Sequence, residues 1–106
     1  MSIERKTGDA LLISGTLEGD NLPPDSAWTG ATAVINIATA GGTAVVTNGA
    51  VTFDTTLKTF SYVGAPINTA GKYYFDISVT FLSIPQGPIT FPNGTNMVLT
   101  VHDAVN

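Results

Sequence analysis

The chain holds one histidine and no cysteine. Any of the common nucleophile–base pairs would therefore have to use His102. A general base needs a matched partner within hydrogen-bond reach, and His102 stands at the end of the last expected strand, beside the C-terminal tail, where it reads as a solvated residue. Asp20, Asn21 and Asp25 are crowded enough to suggest an oxygen site for a calcium ion, but Pro23 and Pro24 interrupt them and the usual loop spacing is missing. Their ordinary role is to cap turns with Asx side chains. Asn93-Gly94-Thr95 matches the N-glycosylation sequon, and it equally makes a hairpin turn. Gly41-Gly42 has no following lysine or helix to make a phosphate loop. These residues give no catalytic set, no metal site and no cofactor, and an enzyme is not expected. The remaining side chains with a recognisable chemistry are aromatic. Trp28, Tyr62 and Tyr74 are candidate stacking platforms for a sugar or a partner.

Composition narrows the partners. Four Lys and Arg against eight Asp and Glu, a net charge of −4, cannot supply the basic footprint on which nucleic-acid binding relies. No stretch approaches the roughly 20 apolar residues of a membrane helix. The N-terminus has no long apolar run after its charges, so a signal peptide is not expected, and the lack of cysteine fits a reducing cytosol. Charged residues make up 11% of the chain, against roughly 25% in ordinary soluble proteins. Ser26 to Phe53 and Ile77 to His102 contain no Asp, Glu, Lys or Arg. Such runs read either as a Thr-rich polar β-surface or as a surface covered by partners, because interface cores are depleted in charge.

The elements that must position these residues are strands. From Tyr73 the chain alternates: Tyr73, Phe75, Ile77, Val79 and Phe81 on one face, Tyr74, Asp76, Ser78 and Thr80 on the other. A period of two over this length predicts a strand with one buried face, and five large apolar residues need a second layer to cover them. The outward row reads as ordinary sheet surface. The same alternation runs through Ala10 to Glu18, with Gly15 marking a bulge or close packing, and through Ala31 to Ala38, Thr43 to Thr47, Ala50 to Phe53, Thr59 to Val63, Ile89 to Phe91 and Met97 to Val101. Asn48-Gly49 and Pro92-Asn93-Gly94-Thr95 are expected hairpin turns, since such pairs accept positive φ. Trp28 ends the longest turn-rich stretch, as a plug at the rim of the core or as an exposed platform. No segment carries a helical apolar period.

Short strands with frequent turn signals predict an all-β fold: an immunoglobulin-like antiparallel β-sandwich of about seven to nine short strands. Sandwich rather than barrel rests on Tyr73. In immunoglobulin-like domains a tyrosine at the start of a late strand bonds back to the backbone just upstream, two residues before a core residue. Tyr73 suits that role, with Phe75 in the position of the core cysteine; alternatively Tyr73 is simply the first large residue of a buried strand. The expected organisation is an arm or edge strand over residues 1–7, one domain over 8–102 and a tail over 103–106. Tyr73, Phe75 and Trp28 are expected to define the fold, and Ile3, Arg5, Trp28, Tyr62 and Tyr74 to be partner contacts.

Several segments in register carry a resemblance. They are Gly8-Asp9 before a strand, Thr29-Gly30-Ala31-Thr32 opening the next, Asn48-Gly49-Ala50, Thr69-Ala70-Gly71-Lys72-Tyr73-Tyr74, and Ile89-Thr90-Phe91-Pro92-Asn93-Gly94. From Gly8 to Val101 the chain resembles the immunoglobulin-like domain at the N-terminus of tailed-phage baseplate upper proteins, also found as short virion proteins. The resemblance implies a non-enzymatic structural protein of the virion, made in the host cytoplasm and contacting other phage virion proteins of the capsid, tail or baseplate, or itself in a symmetric oligomer. The chain stops soon after the domain, where baseplate proteins continue, so capsid decoration or cement and head–tail accessory roles are expected beside the baseplate one. The alternative is a carbohydrate-binding module on the virion surface, resting on the three aromatic platforms.

Overall fold

Alternation along Gly71–Thr80 builds the strand on which the others assemble: Tyr73, Phe75, Ile77 and Val79 are buried, and the residues between them are exposed or half-buried. The computed structural model describes residues 2–18, 22–91 and 97–104. Nine strands lie among them: β1 (Ser2–Lys6), β2 (Leu11–Thr16), β3 (Thr32–Thr39), β4 (Ala44–Ala50), β5 (Thr52–Asp54), β6 (Thr59–Gly64), β7 (Gly71–Thr80), β8 (Ile89–Phe91) and β9 (Met97–His102). A 3-10 helix, Asp25–Trp28, joins β2 to β3.

The strands form two sheets. The larger has the order β1-β9-β7-β3-β4, with β8 also on β7, and the smaller has the order β2-β6-β5. This is an all-β sandwich in which the chain changes sheet between β1 and β2, β2 and β3, β4 and β5, and β6 and β7, the strand order of an immunoglobulin-like domain. One pair departs from the antiparallel expectation: β1 runs parallel to β9, from Ser2 opposite Val98 to Lys6 opposite His102. The physical reason is connectivity. β1 feeds through the Gly8-Asp9 turn into a strand of the other sheet, so it takes the open edge of β9 in the direction that turn dictates. Of the arm or edge strand expected over residues 1–7, Ser2–Lys6 form an edge strand.

The core lies between Leu11, Ile13 and Phe60 of the smaller sheet and Ile35, Ile37, Tyr73, Phe75, Ile77, Val79, Leu99 and Val101 of the larger. Trp28 closes one end. Its ring stands edge-on to Phe81 at 4.9 Å and tilted to Phe53 and Phe91 at 6.0 and 6.2 Å. Its indole N–H donates to the Pro23 carbonyl at 3.1 Å. Lys58 lies 5.4 Å over the ring and pairs with Asp25 at 2.9 Å. At the other end the Tyr73 hydroxyl donates to the Thr69 carbonyl at 2.6 Å, the bond of a tyrosine corner, and Phe75 follows it into the core.

Two turn expectations meet a different structure. Asn48-Gly49 does not reverse the chain, because both residues lie inside β4. Gly49 sits opposite Ile35 and Val46 opposite Ile37, so three steps on β4 match two on β3, and Asn48 adopts φ 52. That is a β-bulge. A hairpin and a bulge both need a residue tolerant of positive φ, so the dipeptide suits either. The turn expected at Pro92-Asn93-Gly94-Thr95 lies outside the described residues. The strands flanking it both run antiparallel to β7, with Phe91 opposite Ile77 and Met97 opposite Phe75, so β8 and β9 point the same way and do not pair as a hairpin.

Gly49 is fixed by space rather than by φ: a Cβ there would meet Val46 Cγ1 at 2.8 Å, and Ile35 Cγ2 and Tyr62 Cε1 at 3.0 Å. Gly49→Ala is expected to destabilise the domain by about 1–3 kcal/mol through overpacking. Tyr73→Phe removes the corner bond while keeping the ring, for an expected loss of about 0.5–1.5 kcal/mol. Urea unfolding checks both: the midpoint falls while the slope stays constant, and an unchanged midpoint for Tyr73→Phe shows that the corner bond contributes nothing.

Candidate partner-binding surface

The residues with catalytic or ligating chemistry do not converge. Among the described residues no three His, Asp or Glu are placed to hold a metal ion. His102 Nε2 lies 3.1 Å from Glu4 Oε1 on the exposed rim where β1 meets β9. Of the three residues weighed as a calcium site, Asp20 and Asn21 lie outside the described residues, and Asp25 is engaged by Lys58. What the fold presents instead is surface.

The outer face of the larger sheet is built from the alternate residues of its strands. Across the sheet at the level of Tyr74 run Ala44, Ala38, Tyr74 and Val98. Two residues further along β7, Asp76 lies opposite Asn36, and after it come Ala50, Val34, Ser78 and Thr90. On this face β3, β4, β7, β8 and β9 carry two charged side chains, Lys72 and Asp76, with His102 at the rim, and β1 adds Glu4 and Lys6 at the far edge. Small residues leave a hollow of about 330 Å³ beside Tyr74, lined by Asn36, Ala38, Ala44, Thr47 and Asp76. Asn36 ties its floor. Its amide N–H donates to Asp76 Oδ1 at 3.3 Å, and its Oδ1 accepts the Asn48 backbone N–H at 2.9 Å. This places the left-handed Asn48 of the bulge.

The long free edge of this sheet is β4. Among the described residues nothing pairs with its outer side, and its sequence Ala44 to Ala50 has no charge and no proline. Natural edges are usually blunted by such residues or by bulges; here only irregular register does so, at the Asn48 bulge and again between Ala44 and Val46. In the smaller sheet, β5 pairs with Thr59 to Ser61, which leaves Tyr62 to Gly64 of β6 open on that side. Val45, Val46, Tyr62, Pro66 and Ile67 line an apolar cleft of about 460 Å³ between these two open edges.

The expected contact residues fall out unevenly. Tyr74 is 39% exposed in the middle of the large face. Ile3 and Arg5 are half-buried on β1. Ile3 packs against the core, and Arg5 Nη2 donates to the Leu12 carbonyl at 2.7 Å, joining β1 to the edge of the smaller sheet. Trp28 has to be corrected: at 1% exposure it touches no partner and offers no stacking face, because the aromatic cluster at the sandwich end absorbs its whole ring. Tyr62 is half-buried and turned inward, its ring filling the space above Gly49 and Gly64.

No protein-family model matches the chain, and no curated protein matches it. The surface therefore stands on its own geometry. Asn36 is the functional-face residue that alternation alone does not single out. Its signal was an amide in an otherwise apolar strand, and its importance came from Asp76, forty residues away in sequence.

Asn36→Ala is expected to leave the Asn48 amide without its side-chain acceptor and to loosen the bulge by about 1 kcal/mol. Hydrogen exchange checks this: the Asn48 amide should exchange faster while amides of β7 keep their protection. Equal exchange in both proteins would show that the bulge does not need Asn36.

Proposed function

We propose that this chain is a non-enzymatic structural subunit of a tailed-phage particle, a capsid decoration or cement protein or a head–tail or baseplate accessory subunit, working through protein–protein contacts. The observation that carries the reading is the pairing of a broad outer sheet face, whose strands other than β1 carry two charged side chains, with the uncharged edge of β4, which has no strand beyond it among the described residues. Burying ionised groups without partners is costly. A surface that presents Ala, Thr, Val, Ser and a tyrosine instead is inexpensive to desolvate, and an open edge offers backbone donors and acceptors to a neighbour's strand. The resemblance of Gly8 to Val101 to virion immunoglobulin-like domains supplies the kind of particle. In such a lattice each contact need be no more than moderate, because many symmetric copies act together. Synthesis in the host cytoplasm followed by incorporation into the virion accords with a chain that lacks cysteine.

The carbohydrate-binding alternative loses its support. Trp28 is inside and Tyr62 faces inward, which leaves Tyr74 alone where a sugar site would need a platform and flanking polar groups.

Mass spectrometry of purified virions tests the proposal. Peptides of this chain should co-purify with the particle through a density gradient and persist after a salt wash, and electron microscopy of the particle should place density on the outer face of the large sheet. A chain present in infected cells and missing from purified particles refutes it.

A further inference from the structure

The geometry points to a second copy of this chain as an occupant of the outer face of the large sheet, bound about a twofold axis that crosses β7 at Tyr74. The face carries its own complementarity. Lys72, Tyr74 and Asp76 are successive outward residues of β7, one cation and one anion placed symmetrically about an exposed aromatic ring. When a second sheet is laid on the first with its β7 antiparallel, the twofold sets Lys72 of each copy against Asp76 of the other. Two charge pairs then form from a single pair of residues, which is the self-complementarity that an isologous interface requires.

The neighbours fit the same arrangement. Tyr74 stands beside the hollow lined by Ala38, Ala44 and Thr47, and because lateral position is preserved across the axis, each ring leans over the other copy's hollow. Alanines at Ala38 and Ala44 keep that site open. The remaining outward residues of the central strands, Val34, Ala50, Ser78, Thr90, Val98 and Thr100, are small and uncharged, while the charged Glu4 and Lys6 of β1 stand at the rim, beyond β9 from Lys72. Lys72 is exposed and Asp76 is half-buried, with one hydrogen bond from Asn36 at 3.3 Å, so its carboxylate keeps acceptor capacity for a partner's ammonium. The size is adequate. Summed over the actual lengths of its strands, at about 4.8 Å spacing and about 3.3 Å per residue, the face is about 600 Å², the lower end of what each partner contributes to a standard interface. Two sheets stacked in this way lie about 10 Å apart, a gap that a tyrosine from each side fills.

This assembly goes beyond the virion reading and does not depend on it, since it concerns the purified chain alone. Sedimentation velocity of the full chain from about 10 μM to about 1 mM, spanning moderate to weak affinities, should show a monomer–dimer equilibrium that weakens as salt rises. Lys72→Asp and Asp76→Lys, each alone, should weaken the dimer roughly tenfold or more by setting like charges together. The two combined should restore it, because the exchange regenerates both pairs. Tyr74→Ser should weaken it without lowering the unfolding midpoint, and it carries the test if Asp76→Lys fails to fold. A chain that stays monomeric throughout, a dimer indifferent to these changes, or a double exchange no stronger than its single variants overturns the inference.

Discussion

Everything in this domain depends on sealing the inner face of β7. Tyr73, Phe75, Ile77, Val79 and Phe81 project from one segment toward the smaller sheet, and no side chain of β7 alone can shield them. The smaller sheet covers the middle through Leu11, Ile13 and Phe60. It has three strands against six in the larger, so it cannot cover the ends. Trp28 seals one end as a broad ring backed by Phe81, Phe91 and Phe53. The Tyr73–Thr69 corner seals the other by tying the chain back as it crosses between sheets. The aromatic positions follow from where the thin layer stops.

The same imbalance explains where the domain is open. A short β5 leaves half of β6 open on one side, and among the described residues no strand lies beyond β4. Two glycines sit at the hinge of that opening, with the Tyr62 ring packed against both Gly49 and Gly64. A ring that fills the gap from inside stands in for the strand that is missing outside. This is why Tyr62, which has the chemistry of a surface platform, is spent on packing.

What the sequence made legible was whatever depended on local period. The β7 alternation, the inward faces of β3 and β9 and the tyrosine at the start of β7 are all patterns within a dozen residues, and they predicted the all-β sandwich. What escaped was set by pairing between distant segments. Asn48-Gly49 states that positive φ is wanted but not whether the chain turns or bulges; the choice is made by Asn36 on the neighbouring strand, whose side chain accepts the Asn48 amide. β8 and β9 look like two arms of a hairpin until β7 shows that both need its edge. Trp28 lies in a stretch without periodicity, so its expected place as a plug at the rim of the core rested on its size alone, with an exposed platform as the alternative; its burial is decided by Phe81 and Phe91, more than fifty residues away. The candidate surface was half legible. Its lack of charge was plain in the sequence, while the fact that β3, β4, β7 and β9 gather their uncharged residues on one plane required the sheet order.

That gathering bears on how an edge and a face share one role. Charges at an edge strand usually guard against unwanted pairing, and β4 forgoes them. A monomer built in this way would court aggregation unless its exposed strand and face were covered or made selective. The irregular register of β4, at the Asn48 bulge and again between Ala44 and Val46, gives some selectivity, because it interrupts the ladder and leaves only short stretches for an added strand. Lys72 and Asp76 give the rest: placed about Tyr74, they reward one relative orientation of a neighbour and penalise others, at little cost in desolvation because each finds an opposite charge. A face whose central strands are neutral apart from two well-placed charges would therefore bind a partner in few ways, whereas a wholly neutral one would bind in many. Specificity in this domain resides in that outward row of β7, on the strand whose inward row holds the core.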